Sequence, residues 1–240
     1  MRIAVLSDIH SNLAALEAVQ NDLPAIDEVW ALGDIVGYGP QPNEVIRSLQ
    51  AMGARSVLGN HDGAAIGTVD PRDFNPEAAR AIAWTAEVID DNSRTYLATL
   101  PEVRRDGELT AVHGSPRDPV WEYIVSASVA ADNLAAFETR LCLFGHTHLP
   151  IVFRASAGEV ETVRATPDEP ITLNGERCLI NPGSVGQPRD GNPAASYKLL
   201  DPESRSLEFR RVAYQVEVTQ RLIRDADLPP RLAERLAYGR

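Results

Sequence analysis

Five short motifs contain the side chains whose types and spacing suit metal binding. The motifs are SDIHSN at 7–12, GD at 33–34, GNHD at 59–62, VHGS at 112–115 and GHTH at 145–148. Together they hold all five histidines of the chain. His146 and His148 are two positions apart, so they fall on the same side of an extended chain, in which side chains alternate with period two. That arrangement suits chelation of a metal ion.

The candidate site residues form a mixed set of carboxylates, one amide and imidazoles. They are Asp8, His10, Asp34, Asn60, His61, His113, His146 and His148. Such a set suits borderline divalent metals (Mn, Fe, Zn, Ni or Co) and not a soft, thiolate-only site. One tetrahedral zinc would use four ligands, whereas two metals that share a carboxylate would use seven readily. Two-metal sites clamp the attacking and leaving oxygens of an in-line displacement.

Alternating strands and helices are predicted to position these side chains. Apolar runs predict buried strands at 2–8 and 27–34, and a third at 54–62 that runs into a loop. Helices are predicted between them, at 12–23 and 41–52. This β-α-β-α-β order indicates parallel strands joined by crossover helices.

The rest of the chain is predicted to become richer in strands. Its first elements are a helix at 75–91, a hairpin at 102–114, a helix at 126–137 and a strand with its loop at 140–148. From 149 onward the pattern is one of short strands, and 215–238 is predicted to be helical with a break at Pro229-Pro230.

Five of the candidate residues each follow the end of a predicted strand: Asp8, Asp34, Asn60, His113 and His146. In open α/β sheets, sites form at the carboxyl ends of the strands. Five separate strand ends can therefore deliver these side chains to one rim.

The charge of the chain limits its partners. The formal net charge is −11 and the pI is near 4.9. This argues against binding of a long nucleic acid, which needs a basic face. Nucleotides remain candidate substrates, because bound metal ions can supply local positive charge. With 240 residues and 44% apolar content, we expect a single domain over 1–240 with one sizeable core.

No segment predicts a membrane span or a disulfide framework. No apolar run approaches the roughly 20 residues of a membrane helix, and RIAVL at 2–6 is shorter than the roughly 7–15 apolar residues of a signal peptide. Cys142 and Cys178 each lie in an apolar stretch and are predicted to be small buried side chains. We therefore expect a soluble, cytoplasmic protein without a membrane partner.

Five motifs follow one another along the chain: D-x-H at 8–10, G-D at 33–34, G-N-H-D at 59–62, His113 and G-H-x-H at 145–148. This ordered set resembles the calcineurin-like metallophosphoesterase superfamily. NPGSVGQPRD at 181–190 resembles the segment that follows in its small bacterial and archaeal phosphodiesterase branch, which carries diadenosine tetraphosphatase-like labels. The resemblance implies an α/β fold, a four-layer α/β/β/α sandwich of two mixed β-sheets flanked by helices. It also implies a dinuclear-metal-dependent phosphodiesterase or nucleotide phosphohydrolase that acts on a small phosphorylated substrate.

The resemblance further implies a role for each residue. One metal would be bound by Asp8, His10 and His148, and the other by Asn60, His113 and His146. Asp34 would bridge the two metals, together with a water or hydroxide that attacks phosphorus. His61 would not be a ligand; it would face the leaving oxygen and stabilise or protonate it, a role that suits a side chain able to hold a proton near pH 7.

The chain departs from the protein Ser/Thr phosphatases of this superfamily, which resemble G-D-x-V-D-R-G where this chain has GDIVGYG at 33–39. Gly37 replaces the Asp that would pair with the catalytic His, and Tyr38 replaces a phosphate-binding Arg. These departures argue against a protein phosphatase. Asp62 is an alternative residue to orient His61.

The substrate-binding residues are left open at this point. Arg117 and Arg189 are candidates to hold a substrate phosphate, or are solvated loop residues. Asn12 either contacts substrate or caps its helix, and the cap is favoured. Loops at 63–74, 115–125 and 165–175 are predicted to lie over the site.

Two alternatives concern the whole protein. A retromer subunit resembles this fold but departs from the family at the catalytic His, so a non-catalytic metal-binding scaffold is the alternative function. The presence of His61 and of all seven ligand positions favours the enzyme. Relatives are often dimers or larger, which leaves a homo-oligomer open.

Overall fold

The computed structural model describes residues 1–156, 158–164, 166–167 and 169–240. In chain order, its strands are β1 (Ile3–Leu6), β2 (Glu28–Ala31), β3 (Arg55–Ser56), β4 (Val103–Asp106), β5 (Leu109–Val112), β6 (Leu141–Leu143), β7 (Pro150–Ser156), β8 (Glu159–Val163), β9 (Ile171–Thr172), β10 (Cys178–Pro182), β11 (Ala195–Asp201) and β12 (Ser206–Val212). Within the described residues these strands form two six-stranded mixed sheets flanked by helices. The predicted two-sheet α/β architecture is therefore confirmed.

Helices cover the sheets. They are α1 (Leu13–Asp22), α2 (Pro42–Ala51), α3 (Asn60–Ala65), α4 (Pro76–Val88), α5 (Asp91–Ala98), α6 (Ala127–Asn133), α7 (Val216–Asp225) and α8 (Pro230–Glu234), with short 3-10 turns at Pro71–Asp73, Leu134–Ala136 and Arg235–Tyr238. The break predicted at Pro229-Pro230 is confirmed, because it separates α7 from α8. No helix in the described part of the chain is long and apolar enough to cross a membrane.

Each sheet contains a run of three parallel strands. In the first sheet, of order β3-β2-β1-β11-β12-β9, the strands β1, β2 and β3 run parallel. In the second, of order β4-β5-β6-β10-β7-β8, the strands β5, β6 and β10 do so. The predicted hairpin around Asp106-Gly107 is the antiparallel pair β4 and β5. Parallel neighbours end at the same edge, so the loops that follow them lie side by side.

Two sequence-based predictions are wrong because each missed the start of a new helix. The helix predicted at 75–91 ends at Val88, and Asp90 begins α5 instead by accepting a hydrogen bond from Ser93 N at 2.7 Å. The strand predicted at 54–62 is only two residues long, and α3 begins at Asn60 where a loop was expected. The Asp62 carboxylate stabilises that start, because it accepts from Gly59 N at 3.0 Å.

The core has an inner and an outer part. Between the sheets lie Val5, Trp30, Leu143 and Ile180, among other buried residues. The helices α1 and α2 pack their apolar faces on the outer side of the first sheet. Cys142 and Cys178 are buried free thiols, as predicted. The single domain over 1–240 and the cytoplasmic location stay predictions.

The only lysine of the chain lies in this interior. Lys198 on β11 is fully buried, and it shares a strand face with Leu200 of the inter-sheet core. Its amine has no hydrogen-bond partner among the described residues and lies 5.6 Å from the ring centroid of Phe209. Burial lowers the pKa of this amine to about 7. Charge at this position therefore destabilises the fold.

We expect Lys198→Met to stabilise the protein at pH 7 by roughly 2–4 kcal/mol, since each pKa unit corresponds to about 1.4 kcal/mol. The unfolded lysine keeps its proton up to about pH 10.5, whereas the folded one loses it near pH 7. The unfolded state thus binds more protons in this window, so wild-type stability rises with pH and the advantage of the variant shrinks. Urea unfolding at pH 7 and 9.5 measures this, with the exposed Arg221→Met as control. A K198M protein less stable than the wild type at pH 7 would contradict the prediction.

Candidate metal centre

All eight candidate residues converge on one rim, and each is at most 4% exposed. The rim lies at the carboxyl ends of the parallel strands. Asp8 and Asp34 follow β1 and β2, whereas His113 and His146 follow β5 and β6 of the other sheet. Asn60 lies four residues beyond the short β3, at the start of α3. The predicted convergence of five strand ends is confirmed.

The loops that carry these residues hold unusual backbone conformations. Asp8, His10, Asp34, His146 and His148 all have positive φ, between 49° and 64°. This left-handed region costs a non-glycine residue on the order of 1 kcal/mol. Such strain concentrates at functional sites, where the surrounding structure imposes it. Hydrogen bonds between neighbouring loops do so here, including His10 N to the Asp34 carbonyl at 2.9 Å.

The first group of converging atoms comes from Asp8, His10, Asp34 and His148. His148 Nε2 lies 3.3 Å from Asp8 Oδ1 and 3.1 Å from His10 Nε2. His10 Nε2 lies 3.6 Å from Asp34 Oδ2. The four ligand-type atoms are within 4.8 Å of one another, which is close enough to share one ion.

The second group comes from Asp34, His113 and His146. His113 Nε2 lies 3.3 Å from Asp34 Oδ2 and 3.0 Å from His146 Nδ1. Asn60 Oδ1 lies 3.1 Å from His113 Nε2, at the edge of this group. Asp34 is therefore common to both groups.

Carbonyl oxygens fix the direction of three imidazoles. His10 Nδ1 lies 3.2 Å from the Val36 carbonyl, His113 Nδ1 lies 2.8 Å from that of Leu32, and His148 Nδ1 lies 2.6 Å from that of Gln187. A proton on each Nδ1 is donated to the carbonyl, which leaves the lone pair of Nε2 directed into the centre. Sequence reasoning did not find these carbonyls, because any residue can supply one.

The centre has more hydrogen-bond acceptors than donors. Asp8 Oδ1 and His146 Nε2 are buried without a hydrogen-bond partner in the described structure. Asn60 Oδ1 faces both carboxylate oxygens of Asp34, at 3.1 and 3.2 Å, and turning the amide round would replace this contact with hydrogen bonds. Each unpaired buried group costs on the order of 1–3 kcal/mol. A cation that accepts these lone pairs removes the cost, so the residues fit divalent metal ions.

The protonation states of the buried histidines also suit the binding of metal ions. Burial lowers the pKa of His10, His146 and His148 well below the ordinary histidine value, so these imidazoles are neutral near pH 7, as metal ligands must be. Burial acts against charge on His113 too, but the carboxylate of Asp34 outweighs it and raises the pKa of His113 to about 9. The carboxylates thus favour positive charge at this position.

His61 belongs to neither group and is held by packing. Its ring lies 4.4 Å from that of Tyr38 and 4.9 Å from that of Phe74, measured between centroids. Its Nδ1 is buried without a partner and lies against Gly37, where a Cβ would collide with it. Burial lowers the pKa of His61 to about 4, so the ring is neutral near pH 7. Asp62 does not orient it, because its carboxylate accepts from Val36 N at 2.9 Å and from Gly59 N.

A cavity of about 100 Å³ opens above the centre, and four aromatic side chains line it: Tyr38, Phe74, Trp121 and Tyr123. Tyr123 stacks on His146, with 3.8 Å between ring centroids. Two of the predicted loops, 63–74 and 115–125, contribute to this wall. The third, 165–175, includes Ala165 and Asp168, which lie outside the described residues; its described part contains β9 and does not line the cavity.

The structure separates the three candidates for substrate binding. Arg189 lines the cavity; its Nη2 donates to Gln187 Oε1 at 3.0 Å, and its Nε is buried without a hydrogen-bond partner. Arg117 does not line the cavity, because its guanidinium pairs with Glu122 and Asp132. Asn12 is buried and caps α1. Only Arg189 therefore remains a candidate for contact with a phosphate.

Known proteins are similar to this chain in sequence to different extents. An uncharacterised protein of Methanocaldococcus jannaschii is 38% identical over 246 aligned positions, which cover 99% of this chain and 98% of the relative. A symmetrical bis(5'-nucleosyl)-tetraphosphatase of Methylococcus capsulatus is 30% identical over 181 positions, which cover 70% of this chain and 52% of the relative. This chain thus spans about half the length of that enzyme.

One solved structure has a similar fold over nearly the whole length of both chains. A metallophosphoesterase from Sphaerobacter thermophilus is 44% identical and superposes with a TM-score of 0.92 over 100% of this chain and 99% of its own. The family described as the calcineurin-like phosphoesterase superfamily domain matches residues 1–205, which include both groups of converging ligand atoms. The chain belongs to the calcineurin-like phosphoesterase superfamily and is a phosphoric ester hydrolase.

Proposed function

We propose that the chain is a two-metal phosphodiesterase or nucleotide phosphohydrolase that acts on a small phosphorylated substrate. The observation that carries the proposal is the position of Asp34, which is common to two groups of buried ligand atoms. A non-catalytic scaffold needs neither His61 nor an open cavity beside the metals, and both are present. The acidic chain, with a net charge of −11, does not suit a long nucleic acid.

Each metal has its own set of ligands in this proposal. Asp8, His10 and His148 would hold one ion, Asn60, His113 and His146 would hold the other, and Asp34 would be shared by both. Mn, Fe, Zn, Ni or Co would suit these mixed nitrogen and oxygen ligands. When bound, they supply positive charge to the phosphoryl oxygens and activate a water for attack on phosphorus.

Arg189 holds the substrate phosphate. Its side chain lines the cavity, and its Cζ lies 6.0 Å from the ring centroid of Tyr38. The guanidinium has only Gln187 as a side-chain hydrogen-bond partner within the described structure. A phosphate oxygen would satisfy the buried Nε donor, and guanidinium groups bind phosphate in a bidentate manner.

His61 assists the leaving group. Because Nδ1 lies against Gly37 and has no acceptor, the proton of the neutral ring is better placed on Nε2. From there the N–H can donate a hydrogen bond to the oxygen that leaves phosphorus and stabilise its developing negative charge. The aromatic wall beside it, formed by Phe74, Trp121 and Tyr123, suits an aryl or nucleobase group. The name of the Methylococcus capsulatus relative also supports a nucleotide substrate.

We expect chelator-stripped protein to regain phosphoesterase activity when Mn²⁺ is added. Cleavage of bis-p-nitrophenyl phosphate should then be faster than cleavage of p-nitrophenyl phosphate.

Asp34→Asn should lose metal and activity together, because it removes the ligand that both groups share. Elemental analysis and steady-state assays measure the two losses, and circular dichroism checks the fold. If D34N retained two metals, the proposed bridging role of Asp34 would be wrong. No cleavage by metal-loaded wild type, with any of the five metals, would overturn the proposed function.

His61→Ala should keep both metals and lower kcat by about 10²–10³-fold, the usual range when a hydrogen-bond donor to a developing oxyanion is removed. The loss should be greater on a diester with a poor alkyl leaving group than on the p-nitrophenyl diester, which needs less assistance. An equal loss on both substrates would show that His61 acts by another route than the leaving oxygen.

Gly37→Ala should destabilise the protein by more than Gly67→Ala. Both glycines have positive φ, +88° and +82°, but a Cβ meets His61 at Gly37 and nothing within 4 Å at Gly67. The backbone alone costs about 1 kcal/mol in each variant, so the excess in G37A measures the collision. We also expect kcat to fall only in G37A, because His61 is displaced. Equal unfolding free energies and rates for the two variants would rule out packing as the means of holding His61.

A further inference from the structure

One histidine of the candidate centre differs from the others in how its ring is held. The rings of His10, His113 and His148 each face a backbone carbonyl through Nδ1. Within the described residues neither ring nitrogen of His146 has such a partner. Its Nδ1 lies 3.0 Å from His113 Nε2, and its Nε2 is buried without a hydrogen-bond partner. The angle of this ring is therefore set by something other than a carbonyl.

The backbone of His146 is held more firmly than its ring. Its N–H donates to Asp8 Oδ2 at 3.2 Å, and the N–H of Gly145 donates to the His113 carbonyl at 2.8 Å. These contacts fix the loop but leave rotation about the side-chain bonds of His146 open. An imidazole that turns presents Nδ1 to an ion for only part of the time, which lowers the affinity for that ion.

An aromatic ring covers one face of His146. The ring of Tyr123 lies 3.8 Å from it between centroids, with an angle of 19° between the two planes. Trp121 meets the same imidazole edge-on, at 6.4 Å. Rotation of the imidazole would break the stack with Tyr123. The stack therefore favours the orientation in which Nδ1 is directed into the centre.

Tyr123 is itself held by the residue before it in the chain. Its side chain is 47% exposed, so burial alone does not fix it. The carboxylate of Glu122 accepts hydrogen bonds from Ser115 Oγ, from the guanidinium of Arg117 and from Asn133 Nδ2, the last at 2.9 Å. Asn133 belongs to α6. The 115–125 loop is thereby tied to a helix, which holds the phenol ring over the imidazole.

We propose that Tyr123 is a positioning residue for the metal centre. By stacking on His146, it keeps Nδ1 directed into the second group of ligand atoms and strengthens binding of the ion that this group would hold. The inference rests on the part of the proposed function in which His146 is a metal ligand. The ring of Tyr123 does by packing what a carbonyl oxygen does for the other three imidazoles.

The test is a calorimetric titration of chelator-stripped protein with Mn²⁺, with no substrate present. His146→Ala identifies the binding step that depends on His146, because that step is the one it weakens most. Tyr123→Leu should weaken the same step by about 3–10-fold, the range expected for loss of one stacked aromatic pair, and leave any other step unchanged. Tyr123→Phe keeps the ring without the hydroxyl, so it should bind as the wild type does.

A second measurement follows the ring of His146 directly. The chain has five histidines, so histidine labelling gives a simple NMR spectrum, and the signal missing from H146A assigns His146. In the metal-free protein, the ring current of Tyr123 should shift the carbon-bound ring protons of His146 upfield. Y123F should keep this shift and Y123L should lose it. A general loss of stability would not produce this pattern.

The matched control is Tyr238→Leu, at an exposed tyrosine that does not line the cavity; it should behave as the wild type in both measurements. The proposal is overturned if Y123L keeps wild-type affinity at the step that depends on His146, or if a step that does not depend on His146 weakens by as much. It is also overturned if Y123F loses as much affinity as Y123L, if H146A weakens no step, or if the wild type shows no upfield shift.

These outcomes are read without turnover. They therefore differ from failure of the proposed function, which is absence of phosphoester cleavage by the metal-loaded wild type.

Discussion

The buried carboxylate of Asp34 is the constraint on which the rest of the centre depends. Its Oδ2 faces His113 of the second sheet at 3.3 Å and His10 of the first sheet at 3.6 Å, while its Oδ1 accepts from His61 N at 2.9 Å. A buried charge is tolerated only when it is compensated. One side chain therefore fixes the spacing of the loops from both sheets.

Close approach of these loops depends on glycine at particular positions. A Cβ at Gly59 would collide with Asp34, and one at Gly145 would collide with Ser7. The same loops place five of the candidate residues at positive φ, which is costly for residues with side chains. The inter-sheet core on which the loops rest must offset that cost. Rigid elements below a strained rim are a common way to hold side chains in place for chemistry.

The sequence allowed the rim to be predicted, because buried strands have a strong apolar signal and their ends can be counted. Asp8, Asp34 and His113 are where the strand ends predicted them. Short-range effects were missed: Asp90 reads as part of a helix, yet its side chain starts a new one. The third strand ends early for a similar reason, since Asp62 stabilises the first turn of α3.

Contacts between distant segments were beyond prediction. Arg117 and Arg189 have the same kind of sequence neighbourhood, after a Gly-Ser-containing loop, and only tertiary structure separates the one bound by Glu122 from the one at the cavity. The C-terminal helical segment has no motif at all. Its position beside Tyr38 follows from the packing of Leu232 and Leu236 in one cluster with that ring, which no local pattern reveals.

The buried Lys198 gives this protein a built-in reporter of its own opening. Since the chain contains no other lysine, no lysine amine is available to acylating reagents while the two sheets stay packed. Acylation of Lys198 can occur only when the space between the sheets is exposed, through local or global unfolding. The rate at which this single side chain becomes labelled therefore reports how often the inner layer of the sandwich separates, without any engineered probe.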